Sequence, residues 1–144
     1  NQRVVVCRPL TTAVITTDAA TACDTTAGAW GGWLVFTDGG GLVAPNGIID
    51  GADLIISRGT FADPVQLIPS AAISLANARI HFRSDGLLYS DPANNPNLLN
   101  AQFAFCIVTT EPLENTRLIT IGSGSRMSIS RFNGGGVCAA PANS

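Results

Sequence analysis

The chain has 144 residues and a formal net charge of -2, with 46% of its residues hydrophobic and 12% charged. At this length a single domain with one core is expected, and no apolar run approaches the ~20 residues that span a bilayer. So small a net charge gives no global basic field to recruit nucleic acid or acidic membranes.

The residue usage, rich in Ala, Val, Ile, Thr and Gly, is that of β-structured or extracellular proteins. Every basic side chain is Arg and none is Lys, a bias with no physical account. The cysteines Cys7, Cys23, Cys106 and Cys138 are well separated and form no CxxC pair. With a single histidine beside them a zinc site is poorly supplied. Two disulfides, and with them an oxidising compartment, are the better expectation. The chain begins at Asn1 without Met, and upstream residues are expected to have been removed.

In chain order, the β-branched run Arg3 to Arg8 reads as a strand that Pro9 closes. Thr11 to Thr26 has no strong period and reads as a loop or weak hairpin, tied back by a Cys7–Cys23 bridge. Trp30 to Ile56 reads as one long hairpin. Trp33-Leu34-Val35-Phe36 goes out, a Gly/Asp/Asn-rich turn follows, and the chain returns from Leu54 to Arg58. Ile48 and Ile49 are the expected extra rungs. Trp33 is expected in the core and Trp30 nearer the surface.

Val65 to Ile68, between Pro64 and Pro69, suits an edge strand. Ala71 to Leu75 is a short helical turn or a lead-in. Arg79 to Arg83 alternates, so Ile80 and Phe82 are expected inward, His81 and Arg83 outward. Ser84-Asp85-Gly86 turns the chain, and Leu87 to Tyr89 returns. Asp91 to Asn97 reads as a loop, and Ala101 to Val108 as a buried strand. Glu111-Pro112 opens a loop before the strand Thr116 to Ile121. Gly122 to Ser125 turns into a last strand, Arg126 to Arg131, with Met127 and Ile129 expected inward. A link, Gly134 to Gly136, leads to Cys138, whose bridge to Cys106 would pin a tail, residues 139–144, to the second sheet. Cys7–Cys23 with Cys106–Cys138 is one of three pairings. No segment carries a helical stripe. Roughly eight to ten short strands point to a mainly β, antiparallel fold of two packed sheets.

Chemistry-bearing residues are few. Asp38, Asn46, Asp50 and Asp53 could offer oxygens to calcium, but their spacing departs from the EF-hand loop, and polar turn residues are the default reading. Gly122 to Ser125 lacks the Lys and following helix of a phosphate loop. His81, Ser84 and Asp85 invite a hydrolase reading, yet neighbours around a strand end do not converge into a triad. No enzyme, cofactor or small-molecule substrate is expected. Arg117, Arg126 and Arg131 are the one place where positive charge could gather, enough for weak, salt-sensitive phosphate contacts.

Several landmarks stand in a particular order. They are the opening Asn1 to Cys7, a second cysteine before Trp30, and Gly32-Trp33-Leu34-Val35-Phe36-Thr37-Asp38. There follow Asn46-Gly47-Ile48-Ile49-Asp50, Asp53-Leu54-Ile55, Ile80 to Gly86, Phe105-Cys106 and Ser125-Arg126. In this order the chain resembles the GspH/FimT family, the minor pilins and pseudopilins of type IV pili and type II secretion, from Asn1 to about Ile129.

The resemblance implies a pilin-like head over residues 1–138. It also implies an apolar N-terminal helix, cut by a prepilin peptidase and methylated, which makes the full-length protein α+β and is missing here. That helix would anchor the subunit in the inner membrane with a periplasmic head, then pack into an extracellular filament beside other minor and major pilins. It implies too that one sheet face, lacking its helix, shows an apolar groove. A type II secretion pseudopilin and a DNA-binding pilin for transformation stay open as alternatives. The second is weakened because Ser125-Arg126-Met127-Ser128 stands where the Gly-Arg-x-Arg DNA motif would be.

Overall fold

The computed structural model describes residues 2–10, 22–40, 44–91 and 95–144. Within them the chain is mainly β, in two antiparallel sheets. The first holds β1 (Arg3–Cys7), β2 (Gly32–Asp38), β3 (Ile55–Thr60), β5 (Arg79–Phe82), β6 (Leu88–Asp91) and β7 (Asn95–Leu98), in the order β3-β2-β1-β5-β6-β7. The second holds β4 (Val65–Pro69), β8 (Ala101–Ile107), β9 (Thr116–Ile121) and β10 (Met127–Phe132), in the order β10-β9-β8-β4. One helical turn, α1 (Ala71–Ser74), carries the chain from the second sheet back to the first. Both disulfides form as Cys7–Cys23 and Cys106–Cys138.

The hairpin read around Trp30 to Ile56 is the β2–β3 pair, with Trp33 opposite Gly59 and Val35 opposite Ser57. Because β residues alternate sides, β2 divides its side chains between two environments. Leu34 and Phe36 join Val5 and Cys7 in a small core on the outer face. Trp33 points to the face that meets the second sheet, where a larger core gathers Trp30, Leu67, Ile80, Leu88, Leu99 and Phe103.

Several expectations are corrected. Trp30, not Trp33, is the buried tryptophan. It precedes β2 and donates its backbone N–H to the Leu67 carbonyl at 2.7 Å, which carries the ring between the sheets. There it packs edge-on against Phe103, with ring centroids 5.3 Å apart. His81 does lie opposite in sense to Ile80, but that side is not solvent, and His81 is only 4% exposed. The loop after β2 folds back over it, so that a Cβ on Gly47 would stand 3.1 Å from His81 Cε1. Ile48 and Ile49 form no rungs: Ile49 packs on the outer core, while Ile48 is exposed.

The loop expected from Asp91 to Asn97 contains strand β7, which pairs Tyr89 with Leu98 and Asp91 with Asn95. Its Pro96 lies on an edge strand, where the missing N–H costs least; residues 92–94 lie outside the described residues. Met127 and Ile129 are not core residues, at 60% and 72% exposed. Strand β10 is the sheet's edge, and the first sheet does not reach over it. Of the Thr11 to Thr26 stretch, residues 11–21 lie outside the described residues. Its described end closes as a hairpin would, with Leu10 N–H donating to the Ala22 carbonyl at 2.8 Å.

The C-terminal tail, expected to be pinned to the second sheet, covers part of that sheet's outer face. Residues Ala139 to Ala142 stand over Ala104 and Leu118. Asn143 Oδ1 accepts from Ala72 N–H at 2.9 Å, and the Ser144 hydroxyl donates to the Ile121 carbonyl at 2.7 Å.

Candidate functional site

The two sheets do not close on each other along their whole length. β1, β2, β5 and β6 send Val6, Trp33, Ile80, Phe82 and Leu88 towards the second sheet. β4, β8, β9 and β10 answer with Leu67, Phe103, Phe105, Ile119, Ile121 and Met127. With Trp30 and Phe61 these residues line an open groove of about 420 Å³ in which every lining side chain is apolar. The aromatic rings hold one another in place: Trp33 leans on Phe61 at 5.2 Å, and Phe61 meets Phe105 edge-on at 5.5 Å. The Trp33 indole N–H donates to Ser57 Oγ at 3.2 Å, fixing the ring at the groove's edge.

Strand alternation produces this lining. Phe103 and Phe105 share one side of β8, while Ala104 and Cys106 face the other way, towards the tail. Ile119 and Ile121 follow on β9, opposite Ile129 and Met127 of β10. The apolar strip therefore runs out from the groove along β9 and β10, where Ile119 is half-buried and Ile129 exposed. Ser125 closes one end: its hydroxyl accepts from Leu88 N–H at 2.6 Å and ties the Gly122 to Ser125 turn to the first sheet. That turn, weighed above as a phosphate loop, is an inter-sheet clasp.

The volume lies within the roughly 300–1,000 Å³ of small-molecule sites, but such sites carry a few placed polar groups that orient a ligand. Here no polar side chain lines the groove. It offers apolar area and exclusion of water, at about 25 cal/mol per Å² buried, and no acid, base or nucleophile. The geometry favours an apolar side-chain ridge over an oriented substrate. Of the groove's aromatic residues the sequence places Trp33 and Phe82 inward, Trp30 nearer the surface and Phe103 and Phe105 in a buried strand, and it gives Phe61 no role. Their convergence depends on which sheet each strand joins, which no local pattern encodes.

The acidic loop has a different office. Asp38 is buried at the end of β2, and its carboxylate accepts from Asn46 N–H at 2.9 Å and Gly47 N–H at 2.8 Å. Asp53 accepts from Gly40 N–H at 2.8 Å and Asp50 N–H at 3.2 Å, and Asp50 accepts from the Asn46 side-chain amide at 2.7 Å. The carboxylates weighed above as calcium ligands organise the loop's own backbone, as polar turn residues do. Among the described residues no group of three or more His, Cys, Asp or Glu is placed to hold a metal ion. The loop's described residues 44–53 lie against the first sheet, Gly47 over His81 and Ile49 on the outer core.

Of the three arginines, the structure brings two together. Arg117 and Arg131 are direct cross-strand partners on β9 and β10. Glu114 offsets them, its carboxylate 3.5 Å from Arg131 and its carbonyl accepting from Arg117 at 3.2 Å. Arg126 stands at the far end of β10, roughly 17 Å away at strand rise, so the three make no single phosphate track. His81 is under the loop, and Ser84 and Asp85 are in an exposed turn where Asp85 Oδ1 accepts from Leu87 N–H at 2.9 Å. No triad is assembled from them.

Comparison of the chain with protein-family models, with curated proteins and with solved structures returns no match.

Proposed function

We propose that this chain is the head of a structural minor pilin of a type IV pilus, whose work is assembly with other pilins and not catalysis. The observation that carries the reading is the open, wholly apolar groove between two disulfide-pinned sheets. Exposed aromatic area of this kind is costly in water and marks a binding surface. In the family that the chain resembles, an apolar N-terminal helix precedes the head. On this proposal such a helix runs into β1 and lays one ridge along the strip from Phe105 to Met127. It anchors the subunit in the inner membrane, with the head in the periplasm, until the subunit enters the filament. Among the described residues no helix is long and apolar enough to cross a membrane. The proposal therefore concerns residues encoded before Asn1.

The test is genetic and chemical together. Deleting the gene should abolish or shorten surface filaments. An Ile119→Asp allele should reproduce that loss while the purified head keeps its fold, because Ile119 is half-buried on the open strip. Intact filaments in both strains would sink the reading. Loss of type II secretion with filaments intact would move the same head to the related secretion pseudopilus.

A further inference from the structure

Strand β10 is an edge of the four-stranded sheet, and its backbone records which groups face outward. Gly122 N–H donates to the Arg126 carbonyl at 2.9 Å, so positions 122 and 126 form a hydrogen-bonded pair of the antiparallel ladder. Such pairs alternate with non-bonded ones. With Met127 opposite Ile121 and Phe132 opposite Thr116, Ser128, Ser130 and Phe132 spend their backbone groups on β9. Met127, Ile129 and Arg131 therefore turn N–H and C=O away from the sheet. No proline, lysine or bulge blunts this edge. The opposite edge, β4, is bounded by Pro64 and Pro69 and bridged by Trp30.

We propose that β10 is a self-pairing edge, joining two copies of this chain antiparallel about a twofold axis at Ile129. A twofold across antiparallel strands must preserve sheet faces, so odd positions meet odd positions and even meet even. Of the registers this allows, the one centred on Ile129 uses all three outward residues within the strand. Ile129 bonds Ile129 of the other copy, and Met127 bonds Arg131 in both directions. The side chains suit the same register. Ile129 packs on its counterpart, Ser128 faces Ser130, and Arg126 faces the Phe132 ring, a favourable cation–aromatic pairing. No arginine stands opposite another across the axis.

Pairing also buries Ile129 and Met127, the most exposed part of the apolar strip, and joins the two four-stranded sheets into one. The inference stands on β10 alone and holds whether or not the filament reading does.

A contact of one strand a side lies at the small end of protein interfaces, so association should appear at high protein concentration. Sedimentation equilibrium of the chain over a concentration series should show the average mass rising from one chain towards two. Ile129→Pro removes the central outward N–H but no β9 ladder bond, and should hold the mass at one chain with unchanged far-UV circular dichroism. Ile129→Lys, which sets two ammonium groups face to face, should do the same and covers the case in which proline disturbs the strand. Ile129→Cys should give a disulfide-linked dimer on mild oxidation, since opposed residues of a bonded pair lie about 5.5 Å apart, within disulfide reach. A single-chain mass at every concentration would overturn the proposal and leave the edge to a different partner. Association that both Ile129→Pro and Ile129→Lys retain would overturn it too.

Discussion

Arg8 Nη2 lies 2.8 Å from Asp24 Oδ2, directly beside the Cys7–Cys23 bridge. The pair locks the chain after the disulfide. Arg8 also donates to the Thr26 carbonyl at 2.6 Å and to the Ala29 carbonyl at 3.2 Å, and it reaches the Thr26 hydroxyl. Gly28 is required beneath it: φ is +145°, and a Cβ there would stand 2.8 Å from Arg8 Nη1. Burial pushes the Asp24 carboxyl up. The Thr26 N–H and hydroxyl and the Arg8 guanidinium outweigh that, holding it below the usual carboxylate value. A depressed carboxyl stabilises the fold fully above its unfolded value, about 3.9, and the contribution is lost as pH falls through the lower folded value. Asp24→Asn should therefore cost about 1–2 kcal/mol at pH near 7. The gap to the parent should close as pH drops below about 4. Urea unfolding of both proteins across that range is the check; a gap constant with pH would refute the linkage.

Asp38 makes a second prediction. Its two oxygens satisfy two backbone N–H groups of the Asn46-Gly47 turn, the second of them buried. Asp38→Ala leaves both donors without that partner and should cost about 3 kcal/mol, from roughly 1–3 kcal/mol for each buried group left unmade. Because these oxygens are already committed, millimolar calcium should leave the parent's melting temperature unchanged. A rise would mean that the loop rearranges to bind the ion, since only a ligand of the native state stabilises it.

Much of this fold is legible in local pattern because alternation and turn chemistry are local properties. The hairpin from Trp33 to Arg58, the Ser84-Asp85-Gly86 turn and the strands at Ala101 and Thr116 all follow from them. Alternation says which residues share a face, not what covers that face. His81 obeys the alternation, yet it is buried because the loop around Gly47, in the hairpin before it, lies over it. Met127 and Ile129 obeyed it too, and are exposed because no sheet reaches them. Trp30 was misplaced for a related reason: its partner, Leu67, belongs to the other sheet. The groove is likewise a product of sheet membership, and its residues looked in sequence like ordinary core.

The two disulfides should not be equivalent. In the chain-entropy account Cys7–Cys23, 16 residues apart, contributes about 3 kcal/mol and Cys106–Cys138, 32 apart, about 4 kcal/mol. The second also holds residues 139–142 over Ala104 and Leu118. The paired alanine variant at Cys106 and Cys138 should therefore lose stability by the larger amount and gain fast amide exchange at β8 and β9. The Cys7 and Cys23 pair should instead loosen β1. Equal exchange patterns in the two variants would show that the tail adds nothing beyond the crosslink.

The groove's edge depends on two glycines that face the same tryptophan strand. Gly59 lies opposite Trp33, and a Cβ there would stand 2.4 Å from Trp33 Cη2. Gly32 is tighter in a different way, since its Cβ would stand 2.3 Å from the Gly59 carbonyl oxygen. A ring can swing and a backbone carbonyl in a ladder cannot, so the substitutions should separate. Gly59→Ala should cost about 1–3 kcal/mol, the usual range for overpacking. It should also turn Trp33 off Phe61 into solvent, shifting tryptophan emission to the red while buried Trp30 keeps its signal. Gly32→Ala should cost more and broaden the unfolding transition, because β2 and β3 must part to admit it. With Trp33 displaced, the groove loses one wall. Binding of an apolar dye such as ANS, which the parent head should show without being unfolded, should fall in Gly59→Ala. An unshifted emission spectrum together with undiminished dye binding would mean that Trp33 does not form the groove's wall.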